Sequence, residues 1–524
     1  MKPRTLLGTT VLVAAATLAW PTAQAENVLR WASQGDSLTM DPHAQNEGPT
    51  ITMGGQIYEP LIARDPQMVL EPALATSWEP LNETTWEFKL RQGVKFHGGE
   101  DLTAEDVVFS LKRAKTESSD MKEYVEAVTE VKAIDDHTVH IITSGPAPIL
   151  PNQLTTLYIM DKGWAEQHNV VEPQNFKDKE ETYAVRNTNG SGPFKLELRE
   201  PDTKTVLVKN DGWWGLSQDP HNVDRIVYTP IPNAATRVAA LLSGELDFVL
   251  DPPLQDLNRI DQTGGLRVVQ TAQIRTIFLG MDQGVAELRT SNVKGKNPLA
   301  DKRVRQAMYQ AIDVGAIQKK VMRGLSVPAG MITSPGVHGH TPAQDTRLDY
   351  DPDASKKLLA DAGYADGFEI RLDCPNNRYN NDEAICVAVV SMLAKIGITV
   401  NLEAIPKSQH FPKIQKRETD FYMLGWGVPT LDSQYVFDFL LKTSGSWNAT
   451  GYSNANVDDL TAKMAVEVDA KTRTTIIDDA WTQANADIVY LPLHHQVIAW
   501  GMSDKVDMPI VPNDSPRFRW ARFK

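Results

Sequence analysis

The hydrophobic period changes twice within residues 85–114. Residues 86–90 alternate apolar with charged side chains, which predicts a strand with one buried face. Residues 93–99 predict a short strand that ends in a turn, because paired glycines tolerate positive φ. Thr103 and Asp106 then occupy the two positions of a capping box, so we expect a helix to begin there.

Alternating strand and helix patterns continue along the chain. Because a helix that joins two strands of one sheet makes those strands parallel, the repeated pattern predicts the α/β fold class. Two strand–helix–strand units are expected: 223–230, 234–242 and 246–250, and then 368–373, 382–397 and 398–404. Further strands are expected at 420–426, 488–493 and 495–501.

The N-terminus has the pattern of a secretory signal peptide. Lys2 and Arg4 precede an apolar run, and small residues lead up to Ala25. The run is too short to favour a membrane anchor, so we expect cleavage after Ala25 and export to the periplasm. The remaining 499 of the 524 residues exceed what one hydrophobic core usually supports, so at least two domains are expected.

Charge and cysteine content narrow the classes of partner. The formal net charge of −14 argues against nucleic acid or an anionic membrane, although a cationic pocket can exist within an acidic exterior. Cys374 and Cys386 are the two cysteines of the chain. In an oxidising compartment they can close a short disulfide loop, and the alternative is two separate buried thiols.

Candidate catalytic and metal-binding groups are weak. His338 and His340 have a chelating spacing that a flexible surface loop explains equally well. His494 and His495 are neighbours on a predicted strand and should point to opposite faces. Since no nucleophile motif is present, we expect neither an enzyme nor a metal or cofactor site, and a secreted hydrolase is the least favoured hypothesis.

Several stretches of this sequence closely resemble the family 5 extracytoplasmic solute-binding proteins, which serve peptide-, nickel- and oligosaccharide-type ABC importers. The resemblance implies a two-lobed periplasmic-binding-protein clam-shell of the large cluster C type, with an inserted subdomain. The first lobe would comprise 26–60, 188–281 and 497–524, the inserted α/β subdomain 61–187, and the second lobe 282–496. The stretches that carry the resemblance are 57–61, 71–78, 85–114, 189–194, 209–215 and 299–307.

The resemblance also implies where a ligand binds. Gly425 and Trp426 are similar to the loop at the family's ligand cleft, where glycine permits close approach and Trp forms a rigid wall. Peptide-binding members have an Asp three residues after this Trp, and here that position is Pro429. Asp432 is the nearest acid that could take its place, although it could equally be a solvated or helix-capping carboxylate.

A second loop resembles the family's carboxylate-binding loop. Arg378 and Tyr379 follow a predicted strand, and a guanidinium can hold a ligand carboxylate with two hydrogen bonds. Trp447 is expected to line the same cleft, and residues 46–50 could offer backbone groups. The alternatives are a surface arginine and core tryptophans.

Together these features predict the binding component of an ABC importer. A monomer would capture a small solute, a di- or oligopeptide, and deliver it to a permease in the inner membrane. Because Pro429 removes the usual amine-binding acid, a non-peptide ligand is the alternative: an oligosaccharide, an opine-like conjugate or a metal chelate.

Overall fold

The computed structural model describes residues 26–178 and 180–524, so the expected signal peptide lies outside the described residues. Within them the strands are β1 (Val28–Ala32), β2 (Ile62–Arg64), β3 (Leu70–Pro72), β4 (Ala75–Asn82), β5 (Thr85–Leu90), β6 (Val128–Asp135), β7 (Thr138–Thr143), β8 (Phe194–Glu200), β9 (Lys204–Lys209), β10 (Arg225–Tyr228), β11 (Phe248–Val249), β12 (Leu266–Met281), β13 (Ser326–Pro328), β14 (Phe368–Pro375), β15 (Ile398–Ile405), β16 (Phe421–Gly427), β17 (Tyr490–Ser503), β18 (Val506–Asp507) and β19 (Arg522–Phe523).

The α-helices lie between these strands, in the alternation that the sequence predicts. They are α1 (Gly48–Ile57), α2 (Ala104–Ala114), α3 (Leu150–Gln153), α4 (Lys162–Gln167), α5 (Ala234–Leu242), α6 (Leu257–Asp261), α7 (Lys302–Ala311), α8 (Val314–Ala316), α9 (Pro352–Asp361), α10 (Asp382–Ala394), α11 (Lys407–Gln415), α12 (Gln434–Val436), α13 (Ala455–Val466) and α14 (Ala470–Asp487).

One large sheet runs through both halves of the molecule. Its strand order is β15-β14-β16-β12-β17-β11-β1-β10-β9-β8, with β13 added beside β17. The long antiparallel strands β12 and β17 lie at the centre of this order, with β14–β16 on one side and β11, β1 and β8–β10 on the other. The register between β12 and β17 shifts between Ala272 and Thr276. Two crossing strands with an irregular middle form a natural hinge.

The predicted parallel crossovers are confirmed. β10 and β11, which α5 connects, both pair in parallel with β1. β14 and β15, which α10 connects, pair in parallel along their whole length. The rule that a connecting helix makes its strands parallel therefore holds in both halves.

The segment before β8 contains a separate four-stranded sheet of order β4-β5-β7-β6. The capping box at the start of α2 is present, because the Thr103 backbone N–H donates to Asp106 Oδ2 at 2.8 Å. The strand predicted within 93–99 is wrong, because only Lys95 forms an isolated bridge, to Asp101. The glycine turn predicted at its end is present, and Gly99 has a positive φ. The two strands predicted near the C-terminus are one continuous strand, β17.

Apolar clusters fill both halves of the large sheet. One cluster packs around Trp31, Phe248 and Trp500, and another packs around Ile370 and Phe421. Cys374 and Cys386 form a disulfide that joins β14 to α10 within the second of these clusters. Among the described residues, no helix combines the length and apolar character that a membrane crossing requires.

Candidate functional site

A cavity lies beside the hinge, between α1 and the loops that follow β14 and β16. Its space, including the solvent at its mouth, is about 770 Å³. Five of the six predicted ligand-binding residues line it, namely Arg378, Tyr379, Gly425, Trp426 and Trp447. The remaining lining residues are Asn46, Glu47, Gly48, Ile51, Thr156, Gln273, Ile274, Arg275, Phe411, Leu424, Gly427, Val428, Pro429, Tyr435, Asn513, Ser515 and Arg517.

One side of the cavity is an aromatic wall, formed by Trp426, Trp447, Tyr435 and Phe411. The Trp426 ring stacks on Tyr435 with a centroid separation of 5.8 Å and meets Trp447 edge-on at 5.5 Å. Trp447 in turn meets Phe411 edge-on at 5.7 Å. Because each ring is held by another, the wall offers a rigid apolar surface. Trp426 is both a core residue and a lining residue, so the two interpretations offered by the sequence are compatible.

Arg378 and Tyr379 form the end of the cavity that the β14 loop supplies. The loop is shaped by Asp382, whose carboxylate accepts from the backbone N–H groups of both residues at 2.9 and 3.1 Å. The Tyr379 hydroxyl donates to the carbonyl of Gly425 at 3.2 Å, which connects this loop to β16. The Arg378 guanidinium lies 5.0 Å from the centroid of the Tyr379 ring.

Glu47 carries the negative charge of this region. Its carboxylate lies 2.8 Å from Lys407 Nζ and 3.0 Å from Arg378 Nε. Burial alone would raise its pKa, but Lys407 and Arg378 outweigh burial and hold the pKa of Glu47 below its usual value. Glu47 therefore remains ionised and joins the first half of the chain to the second. It also caps α1 by accepting from Thr50 N at 3.1 Å.

Two arginines at the cavity were not predicted. Arg275 lies within the irregular middle of β12, and its Nη1 donates to the Gly425 carbonyl at 3.3 Å. Burial, followed by the nearby charge of Arg378, lowers the pKa of Arg275 to about 10. Arg517, near the C-terminus, donates from Nη2 to the Tyr158 hydroxyl at 3.0 Å. Arg275 is the one charged residue between 271 and 281, and this isolated charge in an apolar strand was an available signal.

Asp432 lies elsewhere and does not line the cavity. Arg473 holds its carboxylate with two hydrogen bonds, of 2.6 and 2.9 Å, and His338 Nδ1 lies 2.8 Å away. Burial opposes ionisation, but His338 and Arg473 lower the pKa of Asp432 to about 2. The geometry thus corrects the suggested substitution for the acid missing at Pro429, because this carboxylate is already paired inside the protein.

Two of the histidines noted in the sequence, His340 and His495, share one carboxylate. His340 Nε2 and His495 Nε2 both lie near Asp345 Oδ2, at 3.1 and 2.9 Å. His494 is buried, and neither of its ring nitrogens has a hydrogen-bond partner among the described residues. Burial lowers the pKa of His494 to about 3. The two neighbours therefore point in different directions, as expected for a strand.

A family comparison agrees with this architecture. The model for the middle region of the family 5 bacterial extracellular solute-binding proteins matches residues 69–448 of this chain.

Individual relatives extend the match over nearly the whole chain. The dipeptide-binding protein of Escherichia coli strain K12 is 29% identical over 408 residues, which cover 73% of this chain and 72% of that protein. The glutathione-binding protein GsiB of the same strain is 25% identical over 471 residues, covering 87% and 86%. The periplasmic binding protein DppA of Helicobacter pylori, solved with the peptide STSA, superposes with a TM-score of 0.82 at 25% identity, covering 95% of this chain and 98% of that one.

Proposed function

The chain belongs to family 5 of the bacterial extracellular solute-binding proteins, and we propose that it is the solute-capturing component of an ABC importer. In this role it binds a small peptide-like solute between two closing lobes and presents it to a membrane permease. It acts outside the cytoplasm, after removal of residues 1–25, as a monomer.

The observation that carries the proposal is the position of the cavity. Its lining comes from both sides of the two hinge strands, with α1 and the C-terminal segment on one side and the β14 and β16 loops on the other. A rotation about β12 and β17 would therefore open and close it.

Contacts across the cavity support a closed arrangement. Asn46 Nδ2 donates to the Tyr435 hydroxyl at 2.9 Å, and the Gln34 side chain donates to the Tyr379 carbonyl at 3.3 Å. Arg64 donates to the carbonyls of Pro429 and Thr430 at 3.2 and 3.1 Å. Because these bonds join opposite sides of the hinge, they are available only when the lobes are together.

Two relatives favour a peptide-like solute, and one feature of this chain limits which peptide it is. A curated relative is a dipeptide-binding protein, and another is a glutathione-binding protein. Pro429 favours a ligand end other than a simple α-ammonium group, since the acid expected three residues after Trp426 is absent.

The proposal is tested by measuring closure. We expect small-angle scattering of the mature protein to show a smaller radius of gyration when a bound solute also raises the melting temperature. Short peptides, oligosaccharides and Ni²⁺ chelates should be compared in the same screen. If no solute in any of these classes stabilises or compacts the protein, capture by closure is refuted. Stabilisation by sugars or chelates alone would refute the peptide-like solute and leave the transport role intact.

A further inference from the structure

Three arginines line the cavity along α1, and we call Arg275, Arg378 and Arg517 the cationic edge. Two of them converge at the N-terminus of this helix. A methyl group added to Gly48 would lie 2.7 Å from Arg378 Nη2 and 3.6 Å from Arg275 Nη2. The third lies further along α1, because a methyl group added to Gly55 would overlap Arg517 Nη1.

The helix fixes the distance between these two positions. Gly48 and Gly55 are seven residues apart, so they share one face of α1 at a separation of about 10 Å, given a rise of 1.5 Å per residue. The cationic edge therefore has two positive ends, about 10 Å apart. This separation is about the length of a three-residue extended backbone.

Each end holds one arginine that the protein does not neutralise, Arg275 at the first and Arg517 at the second, whereas Arg378 is paired with Glu47 at 3.0 Å. Among the described residues, Arg275 and Arg517 have no carboxylate oxygen within 4.0 Å. Arg275 Nε and Arg517 Nη1 are buried nitrogens without a hydrogen-bond partner there. A guanidinium withdrawn from water needs an anion or several acceptors, so these two groups favour a ligand that supplies negative charge.

The acids near the cavity do not alter this balance. Among the described residues that line the cavity, Glu47 is the one acidic residue, and Lys407 and Arg378 already bind its carboxylate. Asp514, which lies behind Arg275, accepts from Trp500 Nε1 at 2.8 Å, and burial followed by repulsion from Asp251 raises its pKa to about 7. A ligand ammonium group thus finds no unpaired carboxylate in the described lining.

We propose that the solute is an extended, peptide-like diacid with a carboxylate at each end, an inference that rests on the proposed function. One carboxylate binds between Arg275 and Arg378 at the start of α1, and the other binds Arg517 about two turns along it. The aromatic wall contacts the apolar middle. A γ-linked or N-acylated acidic peptide has this chemistry, whereas a zwitterionic tripeptide places its ammonium group against an arginine.

The test is titration calorimetry on the mature protein, stripped of endogenous solute, with two probes of similar length. N-succinyl-Ala-Ala carries an acid at both ends, and Ala-Ala-Ala is its zwitterionic counterpart. We expect the diacid to bind at least about tenfold more tightly, since one charged hydrogen-bonded contact is typically worth that factor. Arg517→Gln should abolish most of this preference, and Arg517→Lys should retain part of it.

A matched control is Arg186→Gln, which removes an exposed arginine whose one ion pair among the described residues is with Glu181, and it should leave both affinities unchanged. Equal or tighter binding of Ala-Ala-Ala, with compaction of the protein, would overturn the diacid and leave solute capture standing. Equal losses for both probes in Arg517→Gln would overturn the role of Arg517 in selection. If neither probe binds but a sugar or chelate causes closure, the diacid proposal is overturned. If no solute of any class causes closure, the proposed function is overturned as well.

Discussion

The aromatic wall and the cationic edge line the same cavity but are built in different ways. In the wall, the rings of Trp426, Tyr435 and Trp447 are almost completely buried, and Trp426 contacts the other two. In the edge, Arg275 and Arg517 are half-buried and keep nitrogens without partners. The apolar faces of the wall are therefore covered by one another, although Trp426 Nε1 and Trp447 Nε1 also lack a hydrogen-bond partner among the described residues. The edge differs in charge, because Arg275 and Arg517 have no counter-charge there. We infer that the wall supplies stability and sequence-tolerant contact, and that the edge supplies selection.

The largest expected effect comes from removing the centre of the wall. Trp426→Ala should lower the free energy of unfolding by about 3–5 kcal/mol, because it leaves a cavity among packed rings. Urea denaturation measures this loss, and N-succinyl-Ala-Ala affinity should fall as well. Arg517→Gln should change stability by less than about 1 kcal/mol. Equal stabilities for wild type and Trp426→Ala would break the distinction between wall and edge.

The next effect concerns an acid that belongs to neither region. Asp432→Asn should lower the free energy of unfolding by about 2–3 kcal/mol, because Arg473 then lacks its buried counter-charge. Solute affinity should stay within about twofold, since Asp432 lies outside the cavity. Asp479→Asn, an exposed change on the same helix as Arg473, is the stability control. A selective loss of affinity in Asp432→Asn would instead return this residue to the ligand site.

A smaller effect separates affinity from stability at the edge. Gly48→Ala places a methyl group 2.7 Å from Arg378 Nη2, so this guanidinium must move. We expect affinity for N-succinyl-Ala-Ala to fall about tenfold, the cost of disturbing one charged contact. Stability should be maintained or increased, because Ala favours a helix over Gly by up to about 1 kcal/mol. Gly163→Ala, in the first turn of α4, is the matched control. Unchanged affinity in Gly48→Ala would contradict the claim that a ligand carboxylate binds Arg378 beside Gly48.

The smallest effect is a pH dependence of the edge. Burial, followed by Asp251, raises the pKa of Asp514 to about 7, and the cations facing it are Arg275 and Arg378. Above pH 7 the ionised carboxylate offsets these arginines, and below pH 7 protonation removes that charge. Diacid affinity should therefore rise about two- to threefold from pH 8 to pH 6, a long-range Coulomb effect. Asp514→Asn should remove this increase in calorimetric titrations, and an unchanged pH profile in the variant would disprove the assignment.

Each region was predicted only in part, for a physical reason. Trp426 lies at the end of a strand and Arg378 follows one, and both strands have a clear hydrophobic pattern within a stretch that resembles a known family. Glu47 and Arg517 come from segments without a periodic pattern, and only the tertiary fold brings them to the cavity. Asp432 was misplaced because a loop carboxylate can be neutralised by a residue distant in sequence, here Arg473, 41 positions later.

The measurement that tests the central claim most directly is identification of the natural solute. The mature protein should be purified from its exporting cells without denaturation, and mass spectrometry should be applied before and after unfolding. We expect one intact small molecule per chain, peptide-like and carrying an acid at each end. Release of a neutral sugar, or of a peptide whose only charges are one ammonium and one carboxylate, would contradict the account.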